Sequence, residues 1–466
     1  MDSAGGERFT TFIQGAIMLE IPMGRMNRNC ASLARRDMIK VGSLGLGALG
    51  LGALGLGAHA VGGLGLGQLL RTRAARADAG LATKDTSVIW LWLGGGATHV
   101  ETFDPKMTAP AEYRSVTGEV ATNLPGVSFG GNFERMAKIA DKLAIVRSFA
   151  HTNSGHSGGT HYVMTGYDNR LADNGAVPDR PGIGSILARQ RGTNNSQSGI
   201  PTYVRIGGIY ADGPSFLGTA YGPFDPGGEA RQNMALVVGK DRLDGRRDLL
   251  AGIDNVRRSV DRSGLVEGLD AFEQQAFDII LSRSQQAFDL KYEDPRVVDR
   301  YGPGLGQQLL QARRLCEAGC GFVTVSHGGW DMHSGIKTAM DTLGPALDRA
   351  VSALVEDMAM RGVDEKILLV VSGEFGRTPK INGSAGRDHW APLSTLALAG
   401  GGLKMGQVIG ESAEKVDVPK STPIGPQDLM ATVFQVLGIE GRVQYVNQAG
   451  RPVYMIEQGR PIEELV

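Results

Sequence analysis

Cysteine, net charge and undiluted apolar runs are all scarce in this chain. Its 466 residues contain three cysteines, Cys30, Cys316 and Cys320. Usage this sparse excludes a disulfide scaffold. In "CEAGC" the pair Cys316 and Cys320 stands one helical turn apart and reads as small core residues, not as a redox or metal pair. Lys and Arg total 48 and Asp and Glu total 49, a net charge of −1 that carries no electrostatic footprint for nucleic acid. The longest apolar stretch, residues 43–70, is diluted with glycine at every second or third position. Such a run makes a poor helix, and a spanning helix needs about 20 predominantly apolar residues. A stable membrane span in the mature chain is therefore not expected. The length suits two or three average domains or one large α/β domain with insertions.

What is abundant is glycine, with 68 residues, many of them near the N-terminus. There "SLARRDMIKVGSLGLGALGLG" begins with the pair Arg35 and Arg36. The segment Arg35-Arg36-Asp37-Met38-Ile39-Lys40 resembles a twin-arginine export signal, with Ala34 where Ser is common. Ala75-Arg76-Ala77 is a small-x-small cleavage site. The reading is an export leader over residues 1–77, with Met26 as the true start and a mature chain beginning near Asp78. A periplasmic or secreted location is the expectation, and export of a folded protein is a first hint of a loaded metal.

The mature chain, residues 78–466, alternates apolar runs with helical periodicity. "TSVIWLWLGGG", "KLAIVRSFAH", "GIPTYVRIGG", "GCGFVTVSHGGWDMH" and "KILLVVSGEFGR" read as strands. "SGGTHYVMTGY", "TLGPALDRAVSALVEDMAMRG" and "TPIGPQDLMATVFQVLGI" read as helices, and a charged, periodic helical segment fills about 240–320. Strands alternating with helices imply an α/β fold with a largely parallel central sheet.

Metal-binding residue types collect where those strands end. The first exit carries His99, Glu101 and Asp104; the second carries His151, Ser154, His156, Ser157 and His161. Later exits carry His327, Asp331 and His333, then Glu374 and Arg377, then Asp388 and His389. Seven of the eight histidines fall in these segments, the sorting expected of a site at the carboxyl ends of a parallel sheet. Imidazole and carboxylate together suit a divalent transition metal. Asp331 and His333 are two apart, so both can ligate only if the chain turns between them, which Gly328 and Gly329 permit. Ser157 is placed to cap the following helix, and Gly158, Gly159 and Thr160 would leave its first N–H groups open to an oxyanion.

The segments "WLGGGATHVETFDPK", "GHSGGTHYVMTGY", "GWDMH", "GEFGRTPKINGSAGRDHWAPLSTLALAGGGLKMGQVIGES" and "PQDLMATVFQVLGI" resemble domain-of-unknown-function family 1501 over essentially all of residues 85–445. Its members are exported proteins placed in the alkaline phosphatase and sulfatase superfamily. That resemblance implies an alkaline phosphatase-like three-layer α/β sandwich, two adjacent metal ions, a nucleophile at a helix N-terminus, and hydrolysis or transfer of phosphate or sulfate esters. Counting back nine positions from Thr165 of "VMTG", where a sulfatase carries its nucleophile, reaches His156, flanked by Ser154 and Ser157. The superfamily's Asp-x-x-x-His pair becomes Asp331-x-His333, its Asp-His becomes Glu374-Phe375, and its isolated His corresponds to His389. Its first-strand Asp is replaced by Gly94 and Gly95, with His99, Glu101 and Asp104 following.

The expectation is an exported hydrolase using one or two divalent ions; zinc, manganese and calcium are all compatible. Asp331, His333, Glu374, Asp388 and His389, with His99 and Asp104, are the metal candidates. Ser157, His156 and Arg377 are the catalytic candidates, and Ser157, Gly158, Gly159 and Thr160 the anion cradle. Substrates would be a small anionic ester or a sulfated or phosphorylated glycan. The alternative is a catalytically degenerate periplasmic binding protein for anionic glycans or a partner protein.

Overall fold

A computed structural model of the chain describes residues 84–227 and 285–466. The export leader and residues 240–284 of the expected helical segment lie outside the described residues. Thirteen strands are described: β1 (Ser87–Leu93), β2 (Glu119–Ala121), β3 (Ser128–Gly130), β4 (Ala144–Val146), β5 (Tyr203–Ile206), β6 (Phe322–His327), β7 (Ile367–Ser372), β8 (Gly376–Arg377), β9 (His389–Trp390), β10 (Leu396–Gly400), β11 (Gln407–Ile409), β12 (Gln444–Val446) and β13 (Pro452–Tyr454).

All seven residues of β1 are buried. A strand covered on both faces has no need of polar alternation, which is why "SVIWLWL" is a continuous apolar run. Ile89, Leu91 and Leu93 enter one core cluster while Val88, Trp90 and Trp92 enter the other. In β7, Leu369 and Val371 divide from Leu368 and Val370 in the same way. The central sheet runs β11-β4-β10-β7-β1-β6-β5. Strands β5, β6, β1 and β7 are mutually parallel. Strand β10 runs antiparallel to both β7 and β4, and β11 pairs parallel with β4. The reversed strand β10 is not among those expected from the sequence. Its Leu-Ala alternation has little β-branched or aromatic character to announce it.

Helices cover both faces. Leu305–Glu317 and Ile336–Arg361 pack Leu309, Leu310, Leu315, Leu347, Val351 and Leu354 against one side. His156–Thr165, Ile183–Arg191 and Pro426–Leu437 pack Val163, Ile186, Leu187, Leu429 and Phe434 against the other. The result is the three-layer α/β arrangement expected, with a largely parallel sheet. Cys316 and Cys320 are free and buried, as small core residues. Among the described residues, no helix is long and apolar enough to cross a membrane.

One fully buried ion pair sits beneath the strand exits. The Arg387 guanidinium donates to Glu101 through Nη2 (2.8 Å) and Nε (3.0 Å), and both side chains are completely buried. Its remaining N–H groups go to the carbonyls of Thr378, Pro379 and Arg114. Removing one partner leaves the other charge buried and unpaired, which costs about 3–5 kcal/mol. Arg387→Met is therefore expected to destabilise by that amount in urea unfolding. The Arg387→Met/Glu101→Gln double variant should recover a substantial part of it. A single-variant loss below about 1 kcal/mol would show that the pair does not hold the loop.

Candidate metal centre

Three strand exits interlock at the carboxyl end of the sheet. Strand β1 leaves through Gly95 and Gly96, with φ of +110° and +80°. A Cβ on Gly95 would stand 2.4 Å from the Asp331 nitrogen, and one on Gly96 would stand 2.5 Å from the Phe375 ring. Only glycine permits the exit of β1 to lie this close to the exits of β6 and β7. The Gly95 N–H donates to Glu374 Oε1 (2.8 Å), and its carbonyl accepts from Arg377.

After β7 the chain makes the short hairpin β8–β9, in which Arg377 pairs with His389. The loop between folds on Asn382, whose Oδ1 accepts from Ser384 and Gly386 (both 3.0 Å) and whose Nδ2 donates to the His333 carbonyl (3.0 Å). This is why a buried strand is followed by turn formers and then by Asp388-His389: the hairpin carries those two residues back over the exit of β6. The required turn between Asp331 and His333 is present. Met332 N–H donates to the Trp330 carbonyl (2.9 Å) and His333 N–H to the Asp331 carbonyl (3.1 Å).

Three imidazoles surround Asp331. His333 Nε2 and His389 Nε2 lie 3.0 and 3.1 Å from Asp331 Oδ1, and 3.0 Å from each other. His156 Nε2 lies 3.4 Å from Asp331 Oδ2. Each imidazole is held from behind. The Nδ1 of His156 meets Glu374 Oε1 (2.8 Å), that of His333 meets Asp388 Oδ1 (2.7 Å), and that of His389 meets the Ser154 carbonyl (3.0 Å). Phe375 supports the cluster, its ring centroid 4.4 Å from His389 and 5.3 Å from His156.

Charge follows from these contacts. Burial works to raise the Asp331 pKa, but hydrogen bonds from Arg377 and His389 outweigh it and hold the carboxyl down at about 2. The hydrogen bond to Glu374 raises His156 above its ordinary value, whereas burial pushes His389 down. Hydrogen bonds from His333 and Asn382 keep Asp388 low. Glu374 is 3% exposed, and its second oxygen is buried without a hydrogen-bond partner among the described residues.

Several expectations are corrected. The His156–Thr165 helix begins after Gly155, which as N-cap residue has no side chain to cap it. Ser157 does not cap it; the Asp173 carboxylate does, accepting from the N–H groups of Ser157 (2.8 Å) and Gly158 (3.3 Å). The Gly159 N–H donates to the Gly155 carbonyl, and Thr160 Oγ1 donates to the His156 carbonyl. The anion cradle at 157–160 is thus filled by the chain's own carboxylate, the ordinary electrostatic partner of a helix N-terminus. Arg377 is not a free anion clamp either. Its side chain is 0% exposed and donates to the carbonyls of Gly95, Gly96 and Arg387 as well as to Asp331 (2.5 Å).

His99 and Asp104 do not join the cluster. His99 donates to the Val416 carbonyl (2.9 Å), while Asp104 faces Arg147 (3.5 Å) and accepts from Ser412. Short sequence separation from β1 placed them in a different buried network, one turn past the exit. Three further histidines also stand apart. His161 lies between the Tyr167 carbonyl and Asp179, His327 accepts from the Trp330 indole, and His151 is buried beside Asn153. Asp173, Arg387 and Asn382 are the residues that sequence reasoning missed. The "GRDHW" spelling marks Arg387 only as part of a motif, and nothing local links Asp173 to Ser157.

Residues 85–466 match the family described as Protein of unknown function (DUF1501). The chain belongs to that family. The cluster and every element that positions it lie within the DUF1501 match. No curated protein matches the DUF1501 chain by sequence. Solved structures similar to it include a sulfatase from Pseudoalteromonas sp., at 10% identity over 81% of this chain and 72% of that one, with a TM-score of 0.37. A phosphonate monoester hydrolase from Silicibacter pomeroyi matches at 13% identity over 81% and 76%, TM-score 0.38. An alkaline phosphatase from the Antarctic bacterium TAB5 matches at 12% identity over 76% and 99%, TM-score 0.32.

The buried histidines set an acid limit to stability. Burial pushes His151 down from 6.5 to about 4, so the unfolded chain binds a proton there before the folded one does. Its contribution is fully present above about pH 6.5 and is lost as pH falls toward 4. Between pH 7.5 and 5 the loss from this one group is about 2 kcal/mol. His99, also pushed down by burial, acts in the same direction. Urea unfolding across that range should show the fall, and His151→Gln should make it smaller by about 2 kcal/mol. An unchanged slope in that variant would reject the assignment.

Proposed function

We propose that this DUF1501 protein is a metal-dependent hydrolase of phosphate or sulfate esters, acting outside the cytoplasm after twin-arginine export. The observation that carries the metal is the convergence of His333 Nε2 and His389 Nε2, 3.0 Å apart, on one oxygen of Asp331. Two imidazole nitrogens and a carboxylate oxygen this close are a donor set for a divalent cation. His156 Nε2 extends the set on the other oxygen of Asp331. The residues present therefore fit a divalent ion. When bound, such an ion would act as a Lewis acid toward an ester oxygen and offset the charge of the leaving group.

The chain's own groups do the rest. Arg377 and the Gly95 and Gly96 carbonyls fix the position of Asp331. The β8–β9 hairpin sets His389 opposite it. Asp331, His156, His333 and Asp388 are about half exposed, so an ester can reach the cluster from solvent. Because Arg377 is buried and the helix N-terminus is closed by Asp173, neither is free to neutralise an anionic substrate. That role falls to the cation and to the imidazoles around it, which is the reason the proposed activity depends on metal. Ser157 stands outside the hydrogen-bonded cluster, so the reading favours attack by water over a serine nucleophile.

A second reading, a binding protein for anionic glycans without turnover, is favoured by the same two commitments of Arg377 and Asp173. One experiment separates them. Purified protein is loaded with divalent metal and assayed against a panel of aryl and sugar phosphate and sulfate esters, with His389→Ala alongside. The expected result is turnover that is lost with chelator and with His389→Ala, together with lower metal content in the variant. Metal-loaded wild-type protein that retains sulfated or phosphorylated ligands but hydrolyses none of the panel would establish the binding reading instead.

A further inference from the structure

We propose that the cluster is a single-ion site with a nitrogen-rich ligand set: His156, His333 and His389 through Nε2, and Asp331 through its carboxylate. In this assignment Glu374 and Asp388 are positioning residues behind two of the imidazoles and do not ligate. The inference rests on the metal reading above and deepens it. It narrows the expectation of one or two ions held among Asp331, His333, Glu374, Asp388, His389, His99 and Asp104, and departs from the two adjacent ions that the superfamily resemblance implies.

The argument starts from where the protons sit. The three atoms that face the Nδ1 positions are Glu374 Oε1, Asp388 Oδ1 and the Ser154 carbonyl oxygen. All three are acceptors, so each Nδ1 is the donor and an imidazole that is neutral keeps its lone pair on Nε2, whereas a His389 that also donates to Asp331 carries on Nε2 the proton a metal would displace. Those three lone pairs are the ones turned toward the Asp331 carboxylate, at 3.0, 3.1 and 3.4 Å. Two of them also face each other at 3.0 Å. Arg377 donates to Asp331 Oδ1, but its other donors go to backbone carbonyls, so the imidazole nitrogens stay opposed unless a proton or a cation lies among them. One proton on one ring relieves one contact; one cation relieves all of them.

Spacing and donor type narrow the ion. Four ligands about 2.0–2.1 Å from a tetrahedral metal stand about 3.3 Å from one another. His333 Nε2, His389 Nε2 and Asp331 Oδ1 stand 3.0 to 3.1 Å apart, close to that spacing, and His156 Nε2 faces the other carboxylate oxygen at 3.4 Å. The donors of His156, Asp331 and His389 all lie within 4.8 Å of one another, so a bound ion would have to draw His333 and His156 closer together. Three imidazoles with one carboxylate suit zinc, iron, manganese, cobalt or copper, whereas calcium and magnesium prefer oxygen ligands.

Glu374 and Asp388 each spend one carboxylate oxygen on an imidazole, and the second oxygen of Glu374 is buried without a hydrogen-bond partner among the described residues. Glu374 Oε1 holds both the His156 ring and the Gly95 N–H. Moving it onto a metal would take the acceptor away from His156. A carboxylate behind a ligating imidazole fixes its orientation and strengthens it as a donor, and losing one typically costs 10- to 100-fold in metal affinity. The two should differ in weight. Glu374 is 3% exposed and Asp388 is 53% exposed, so solvent screens the second far more.

The test uses the full chain loaded separately with zinc, cobalt(II), manganese, calcium and magnesium. It reads bound ions per chain by elemental analysis, affinity by chelator competition, and the cobalt absorption spectrum. The expected stoichiometry is one transition ion per chain, with calcium and magnesium not retained. His156→Ala should weaken zinc by more than the roughly 100-fold upper figure for an outer partner. Glu374→Gln should weaken it roughly 10- to 100-fold, and Asp388→Asn less than Glu374→Gln. Glu374→Gln keeps an oxygen to accept the ring N–H, so its effect reads the charge behind the imidazole and not the fold. The cobalt spectrum should keep its shape in Glu374→Gln and change in His156→Ala. Two ions per chain, preference for calcium, unchanged affinity in His156→Ala, or a Glu374→Gln loss equal to that of His156→Ala would each overturn the assignment. One ion bound as described with no ester turned over would leave it standing and reject the hydrolase. Ester turnover with two ions would do the reverse.

Discussion

A single buried guanidinium holds this end of the molecule together. Arg377 follows β7, yet its donors reach the Gly95 and Gly96 carbonyls after β1, the Arg387 carbonyl in the hairpin loop, and Asp331 after β6. Three strand exits and one loop are therefore joined through one planar group. A guanidinium suits this task because its N–H groups diverge in fixed directions and it stays charged when desolvated. Lysine could supply the charge but not the fan of directions. The interaction also explains the glycines of β1: the carbonyls of Gly95 and Gly96 can approach Arg377 only if no Cβ keeps Asp331 and Phe375 away.

The fold was legible in the sequence where burial on both faces removes polar alternation. "SVIWLWL" and "ILLVVS" are central strands, and they lie side by side in the sheet. Strand β10 was not legible, because its direction and place depend on what it pairs with, and short alanine-rich strands say little about either. The strand exits were legible as a set because histidine, aspartate and glutamate collected there. Which of them meet was not. Asp331 and His333 meet through two consecutive tight backbone hydrogen bonds that residue types do not encode. His99 and Asp104 leave a strand exit of the same kind and turn into a separate network.

The same limit explains the misplacement of the anion cradle. Ser157, Gly158 and Gly159 are what an open helix N-terminus looks like in sequence. Asp173 closes it from sixteen residues downstream, through the turn Ala172–Asn174. Gly155 makes the approach possible, since a Cβ there would lie 1.8 Å from Asp173 Oδ2. A glycine-rich loop that reads as room for a ligand is in this chain room for another part of the chain. Local pattern identifies a helix terminus that wants negative charge; only the tertiary fold decides what brings it.

Charge balance connects these observations. Around the three imidazoles stand three carboxylates, Asp331, Glu374 and Asp388, and one guanidinium, Arg377. Glu101 and Asp173 are absorbed elsewhere, by Arg387 and by the helix N-terminus. With neutral imidazoles the cluster is short of two positive charges. Protonation of His156, which its hydrogen bond to Glu374 favours, makes up one of them. On the metal reading proposed above, a divalent cation would make up both, between the imidazole nitrogens and Asp331. Replacement of that proton by a metal is the ordinary competition at an imidazole site. On the reading proposed above, a dication would complete the arrangement.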